Sequence, residues 1–218
     1  MNGPEFVTRL DADIREGLER LGRLSAAGDV PEDLTVEKLL TIALKNELEA
    51  TEIAARWMTD TEELDVKLAL ARQVGDEAKH YRAVCDRLKE LNIDADRIDP
   101  RQNGYSALFQ FLAGLKGLTA RIAAGQFARE GIALVRNQCF IEYCESRGDA
   151  RTAHLYRDVI QPDEQHHHEL GRKLLARYVS SPQEQNEARQ AAQRTIGLAE
   201  EIQEMARLKA GISRAPGC

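Results

Sequence analysis

The chain has 218 residues, of which 43% are hydrophobic and 30% are charged, and its formal net charge at pH 7 is −6. This size and this balance suit one domain with a well-covered surface, and they favour a soluble, mainly helical protein. The negative net charge argues against a domain that binds nucleic acid through a basic face.

Three features of the sequence favour a cytoplasmic location. No apolar run approaches the roughly 18 residues that a membrane span requires. The opening Met1-Asn2-Gly3-Pro4 lacks the basic and apolar regions of a signal peptide. No two cysteines form a CxxC pair, and a helical domain needs no covalent staple, so reduced thiols are expected at Cys85, Cys139, Cys144 and Cys218. For Cys139 and Cys144, buried packing is favoured over a reactive role.

The first predicted helix covers residues 5–24, because apolar residues recur there at steps of three and four. Gly28 and Pro31 then mark a loop over 25–33. We expect residues 1–34 to form an accessory helix and loop that packs on the rest of the chain or on a partner subunit.

A helical hairpin is predicted next. Its first helix opens after the capping residue Thr35, and its second runs from a turn near 60–61 to about Leu91. Residues 92–104 carry acids, a proline and a glycine, and they read as a long crossover. Thirteen extended residues reach roughly 43 Å, which is enough to return along a bundle. Residues 105–115 are predicted to form a short helix or a bend.

A second hairpin follows the crossover. Its helices are predicted at 118–147 and 150–178, with the turn at Gly148. The second of them contains Pro162, which removes a hydrogen bond and clashes with the preceding turn. The helix therefore either kinks at this point or restarts there, with Glu164 in its first turn.

The last part of the chain, residues 179–218, is predicted to be a second accessory unit. Ser180-Ser181-Pro182 starts an amphipathic helix over 182–209, which packs against the bundle or forms a subunit interface. The tail after it, residues 211–218, is expected to fray.

Acidic residues interrupt the apolar stripes of the first hairpin. Glu47 lies within the stripe of the first helix, and Glu77 lies within that of the second. An unpaired charge on a buried face is very costly, and a bound metal offsets that cost. Glu49 and Glu52 lie off the first stripe. The alternative for Glu47 is a boundary position that reaches solvent.

Two copies of Asp-Glu-x-x-His supply a carboxylate and an imidazole on one helix face. The copies are 76–80 and 163–167, and residues i and i+3 lie roughly 5–6 Å apart at Cβ. In an antiparallel hairpin, residues some 30–34 apart come level near mid-helix. Glu47 is level with Glu77 in this way, and Glu130 with Glu164 if Gly148 marks the turn. Glu142 and Glu145 are the alternatives to Glu130.

The order Glu, ExxH, Glu, ExxH resembles the ferritin-like di-iron carboxylate family. The resemblance covers residues 35–178 and implies an all-α fold. This fold is a four-helix bundle of two antiparallel hairpins joined by a long crossover, here with extra terminal helices. The implied metal ligands are Glu47, Glu77, His80, Glu130, Glu164 and His167. The resemblance also implies that Asp76 orients His167 and Asp163 orients His80, whereas exposure of both acids is the alternative.

Other residues near the motifs leave alternatives open. His166 and His168 point to either side of His167 and are expected at the surface or just outside the ligands. Small residues at 123–133 either leave a cavity beside the metals or allow close helix packing. Tyr81 and Tyr143 carry no specific signal of a redox role.

Four carboxylates balance two divalent ions, so a binuclear centre is electrically reasonable. Carboxylate and imidazole ligands suit iron or manganese. The resemblance implies two iron ions, with manganese possible, and an oxidoreductase that activates dioxygen to oxidise a small organic substrate. Since the chain has no flavin or iron–sulfur motif, a separate electron-donor protein is expected. A ferritin-like or rubrerythrin-like ferroxidase, peroxidase or storage protein is the alternative. A homodimer is the expected assembly.

Overall fold

The computed structural model describes residues 1–26, 31 and 33–217, and all regular secondary structure in these ranges is helical. The single helices are α1 (Gly3–Ala26), α2 (Val36–Asp60), α3 (Leu64–Glu90), α4 (Ala107–Gly114) and α7 (Pro182–Ala210). Two composite helices lie between α4 and α7. Helix α5 comprises Leu118–Ile122, a π-helical segment Ala123–Arg129 and Glu130–Ser146. Helix α6 comprises Ala150–Leu155, a π-helical segment Tyr156–Ile160 and Gln161–Tyr178. The all-α prediction is confirmed for these residues.

Side-chain caps fix the starts of several helices. Thr35 Oγ1 accepts a hydrogen bond from the Lys38 amide at 3.3 Å, as the sequence predicted. Ser181 and Glu184 form a complete capping box at the start of α7. The crossover contains one 3₁₀ turn, Ala95–Arg97. The predicted loop over 25–33 includes residues 27–30 and 32, which lie outside the described residues.

The helices pack as two hairpins with the terminal helices on one side. Helix α2 pairs with α3, and α5 pairs with α6. Helices α1 and α7 pack against each other; α1 also packs against both helices of the second hairpin, and α7 packs against α5 and α4. Of the two predicted roles for the terminal helices, packing on the chain's own bundle is therefore the one observed.

The apolar core is divided at mid-height. One cluster contains residues from the second half of α2 and the first half of α3, such as Trp57 and Leu70. The other contains residues from the opposite halves of the same helices, such as Leu40 and Leu88. Buried acids lie between the two clusters. These buried acids, termed here the polar layer, include Glu47, Glu77, Glu130 and Glu164. They lie at the height of the bundle where the sequence predicted the metal ligands.

Helix α6 continues through Pro162 instead of restarting there. Ile160 and Gln161, which precede it, both have right-handed helical backbone angles. The proline ring would clash with the carbonyl of Asp158, four residues earlier, and that carbonyl lies in the π-helical segment. The wider π turn accommodates the ring, so the distortion comes before the proline.

Helix α6 approaches the π-helical segment of α5 closely at Gly171. A Cβ atom added there would lie 2.7 Å from the carbonyl carbon and oxygen of Gln126. We expect Gly171→Ala to destabilise the fold by about 1–3 kcal/mol, because backbone must move. Gly197→Ala is the control, since an added Cβ meets nothing within 4 Å there. Equal midpoints in thermal unfolding of both variants would contradict this packing.

The tail is not frayed, contrary to the sequence-based expectation. Ser213, Ala215, Pro216 and Gly217 are buried. The Asn46 amide donates to the Pro216 carbonyl at 2.8 Å, and the Gly217 amide donates to Asn137 Oδ1 at 2.8 Å. Hydrogen bonds to Asn46 and Asn137 hold the tail on the bundle. Its low hydrophobicity therefore did not lead to fraying. Cys218 lies outside the described residues.

None of the helices in the described part of the chain combines the length with the apolar composition of a membrane span. Cys85, Cys139 and Cys144 are free thiols. Burial raises the pKa of the Cys144 thiol, which keeps it protonated and unreactive.

Candidate metal centre

The six residues that the resemblance implied as ligands converge in the polar layer. They form two overlapping groups whose ligand atoms lie within 4.8 Å of one another. The first group is Glu47, Glu77, His80 and Glu164; the second is Glu77, Glu130, Glu164 and His167. Glu77 and Glu164 belong to both groups. Two adjacent cations could therefore be held here, with two carboxylates shared between them.

The histidines turn their Nδ1 atoms toward the carboxylates. His80 Nδ1 lies 3.4 Å from Glu77 Oε2 and 3.5 Å from Glu47 Oε2. His167 Nδ1 lies 3.8 Å from Glu164 Oε2 and 4.0 Å from Glu130 Oε2. Atoms that share an ion at about 2.1 Å lie no more than about 4.2 Å apart, so these separations fit ligands around a cation.

Two buried polar atoms support the same assignment. Glu164 Oε2 and His167 Nδ1 have no hydrogen-bond partner among the described residues. Buried polar atoms without partners are costly, and both of these belong to the second group of ligands. A metal ion between them would satisfy both.

The Nε2 atom of each histidine, on the side of the ring away from the glutamates, contacts an aspartate on the opposite hairpin. His80 Nε2 lies 3.1 Å from Asp163 Oδ2, and His167 Nε2 lies 3.1 Å from Asp76 Oδ2. A carboxylate accepts, so Nε2 carries a proton, and Nδ1 is the nitrogen that would lose its proton and face a metal. This cross-pairing is the one that the resemblance implied.

We expect Asp76→Asn and Asp163→Asn each to weaken metal binding by about 10- to 100-fold, because each removes the carboxylate that orients a histidine. Competition with a chromophoric chelator measures the affinity. Glu169→Gln, an exposed change on α6, is the control. Affinities equal to that of the control would show that the aspartates do not act through the histidines.

Burial and mutual repulsion perturb the four glutamates. Burial raises the pKa of Glu47 and of Glu164 to about 7. Burial and the charge of Glu164 raise the pKa of Glu130 well above its usual value. Burial also acts on Glu77, but the hydrogen bond from His80 and nearby positive charges lower its pKa to about 2. Several carboxyls therefore retain protons near neutral pH, which metal ions would displace.

In comparisons with known proteins, no family model matched this chain, and neither did any curated protein or any solved structure. The resemblance to the ferritin-like family therefore rests on the Glu, ExxH, Glu, ExxH order of the sequence.

Two buried side chains beside the ligands were not predicted. Gln73 Nε2 donates to Glu130 Oε1 at 2.6 Å and lies one helical turn before Glu77. Arg129 Nη1 lies 3.7 Å from Glu130 Oε1, and Nη2 donates to the Asn46 carbonyl at 3.3 Å. Gln73 could have been found from its position on the ligand-bearing face of α3. Arg129 carried no such signal.

Tyr156 was also missed. It is fully buried, and its hydroxyl has no hydrogen-bond partner among the described residues. Burial, and then the charges of Glu47, Cys144 and Glu164, raise its pKa well above the usual value. It lies eight residues before Glu164, which is off-face in a regular helix. The π turn takes an extra residue, so eight residues make about two turns here.

The remaining alternatives lie outside the centre. Glu142 and Glu145 are exposed. Glu49 is buried but accepts hydrogen bonds from the amide and hydroxyl of Ser106. Tyr143 donates to the Leu34 carbonyl at 2.5 Å.

His168 supports the π-helical segment of α5. Its Nδ1 lies 2.8 Å from the Phe127 carbonyl oxygen, so this nitrogen carries the proton. Its ring stacks on Phe127 with centroids 5.1 Å apart. His168 thus fits the predicted place just outside the ligands, and it contacts the segment that leads into Glu130.

The small residues of α5 serve mainly close packing. A Cβ added at Gly125 would lie 2.5 Å from the Trp57 ring. Ala133, from the same set, lines a small cavity beside the ligands. Both predicted roles therefore occur, at different positions.

Proposed function

We propose that this chain is a ferritin-like protein with two iron ions in its four-helix bundle, and that it activates dioxygen. The observation that carries the proposal is the pair of four-ligand groups sharing Glu77 and Glu164. Four carboxylates and two imidazoles are a donor set that suits iron, with manganese as the alternative. Glu47 and His80 would complete one position, and Glu130 and His167 the other.

The two metal ions, when bound, would supply the electrons that reduce dioxygen. The protein's own residues would orient the metal ligands and adjust the charge of the centre. Asp76 and Asp163 would accept from Nε2 and orient both Nδ1 atoms toward the metals, and Gln73 would fix one oxygen of Glu130 by its hydrogen bond. Arg129 would add one positive charge to a cluster whose carboxylates and divalent ions balance. That charge would stabilise the negative charge which develops on dioxygen as it is reduced.

We propose an organic molecule as the substrate to be oxidised, with electrons from a separate donor protein. A ferroxidase or peroxidase is the second candidate, and a specific observation favours it. The cavity beside the ligands has a volume of about 10 Å³, room for about one water-sized molecule. Dioxygen, peroxide or a ferrous ion is close to that size, whereas an organic substrate is not. A homodimer remains a prediction, and a large shell in light scattering would favour storage.

Oxygen uptake tests the proposal. The protein is loaded with ferrous iron without air, and dioxygen is then added in an electrode cell. We expect uptake at least tenfold faster than that of the same ferrous iron in buffer, together with ferric absorption that stays with the protein. Added peroxide in place of dioxygen distinguishes a peroxidase. Uptake no faster than that of free iron would contradict the proposed function.

A further inference from the structure

We infer that the segment 212–217, termed here the cover segment, covers the cavity beside the metal centre on one side and limits the size of molecule that reaches it. The inference deepens the proposed function and rests on it, because a metal-bound centre gives the closure its purpose. A larger substrate would reach the centre only when this segment moves.

The cavity beside the ligands lies between α2 and α5. Besides ligands, its wall contains Asn46 and Ala50 from α2, Arg129 and Ala133 from α5, and Gly217 from the cover segment. Helices thus form two sides of the cavity, and the cover segment adds a wall. Two of the α2 and α5 residues in the wall are alanines, and Gly217 completes the wall beside them.

The anchors of the cover segment lie on the helices that carry the ligands. Asn46, which holds the Pro216 carbonyl at 2.8 Å, is next to the ligand Glu47. Asn137, which accepts from the Gly217 amide at 2.8 Å, lies two turns after the ligand Glu130. Arg136 also donates to the Gly217 carbonyl, at 3.4 Å. A shift of the cover segment would therefore break contacts with residues that lie close to the ligands.

Glycine is required at the point of contact. Gly217 has φ +72°, in the left-handed region, and an added Cβ would lie 3.3 Å from Asn46 Cβ. The backbone at Gly217 therefore lies so close to α2 that a larger residue would crowd Asn46. The close fit lets so short a segment form one wall of the cavity.

The cover segment is held more weakly than the helices. Its polar partners are mostly single hydrogen bonds, and its apolar contacts with the core cluster come from Ala215 and the partly buried Ile212. Segments held by few apolar contacts open locally, far more often than the whole domain unfolds. Breaking two of the hydrogen bonds should raise the population of the open form by roughly 10- to 100-fold.

Metal release tests the inference. Asn46→Ala/Asn137→Ala removes two anchors, and Gln138→Ala, an exposed neighbour on α5 bonded to Glu142, is the matched control. Each protein is loaded with ferrous iron without air and mixed with excess ferrozine. We expect the double variant to release iron at least tenfold faster than the wild type, and the control to match the wild type.

The outcomes separate this inference from the proposed function. Equal release rates with two iron ions bound would overturn the inference alone. Faster release from a protein that takes up no dioxygen would overturn the proposed function alone. If no protein binds iron, both fail. Should the double variant not fold, amide exchange in the wild type decides. The Gly217 amide should be protected at least tenfold over an unstructured chain, and an unprotected amide would overturn the inference.

Discussion

Glu77→Gln is expected to lower bound metal from two ions per chain to fewer than one. Glu77 belongs to both ligand groups, so its loss weakens both positions at once. Glu47→Gln and Glu130→Gln each remove a ligand from one group only, and each should leave about one ion. Metal content after ferrous loading and desalting, measured by elemental analysis, gives these numbers.

The control for this series is Glu49→Gln. Glu49 is also a buried acid of α2, only two residues from Glu47, but its carboxylate serves Ser106. Its substitution should cost stability and leave two ions bound. If Glu77→Gln and Glu49→Gln retain the same amount of metal, the shared-ligand arrangement is wrong.

Metal-free protein is expected to lose stability as the pH rises from 5 to 7, by several kcal/mol in unfolding free energy. Burial raises the pKa of Glu47 and of Glu164 to about 7 in the folded state. Between the unfolded value and that pKa, the folded state holds more protons, so each group's contribution is lost as pH rises. Each pH unit costs about 1.4 kcal/mol per group. The pKa of His80, raised to about 12, extends the same trend above pH 6.5.

Bound metal should reverse this dependence, because ions displace the protons and bind more tightly as pH rises. Chemical denaturation at several pH values, with and without metal, measures both curves. Glu47→Gln is the control, and it should reduce the metal-free slope by about one proton. A metal-free protein whose stability is constant or rises between pH 5 and 7 would contradict the electrostatics of the centre.

Much of the polar layer could be predicted because helical spacing is regular. The two ExxH motifs place Glu77 beside His80 and Glu164 beside His167 on any straight helix. The level of Glu47 and Glu130 followed from the lengths of the hairpins. The structure brings all six predicted ligands together, which helix geometry alone made plausible.

Other features depend on irregular backbone or on distant contacts. The π turn before Pro162 changes the helix face on which Tyr156 lies, and a regular period cannot reveal that. The burial of Gly217 depends on Asn46 and Asn137, which lie far away in the chain. Nothing in the local composition of the tail indicated those partners, so fraying was the natural expectation.

Anomalous diffraction from crystals grown with ferrous iron would test the central claim most directly. The claim predicts two anomalous peaks in the polar layer, one beside Glu47 and His80 and the other beside Glu130 and His167, with Glu77 and Glu164 in contact with both. A single peak, or none with the six side chains unchanged, would contradict a binuclear centre.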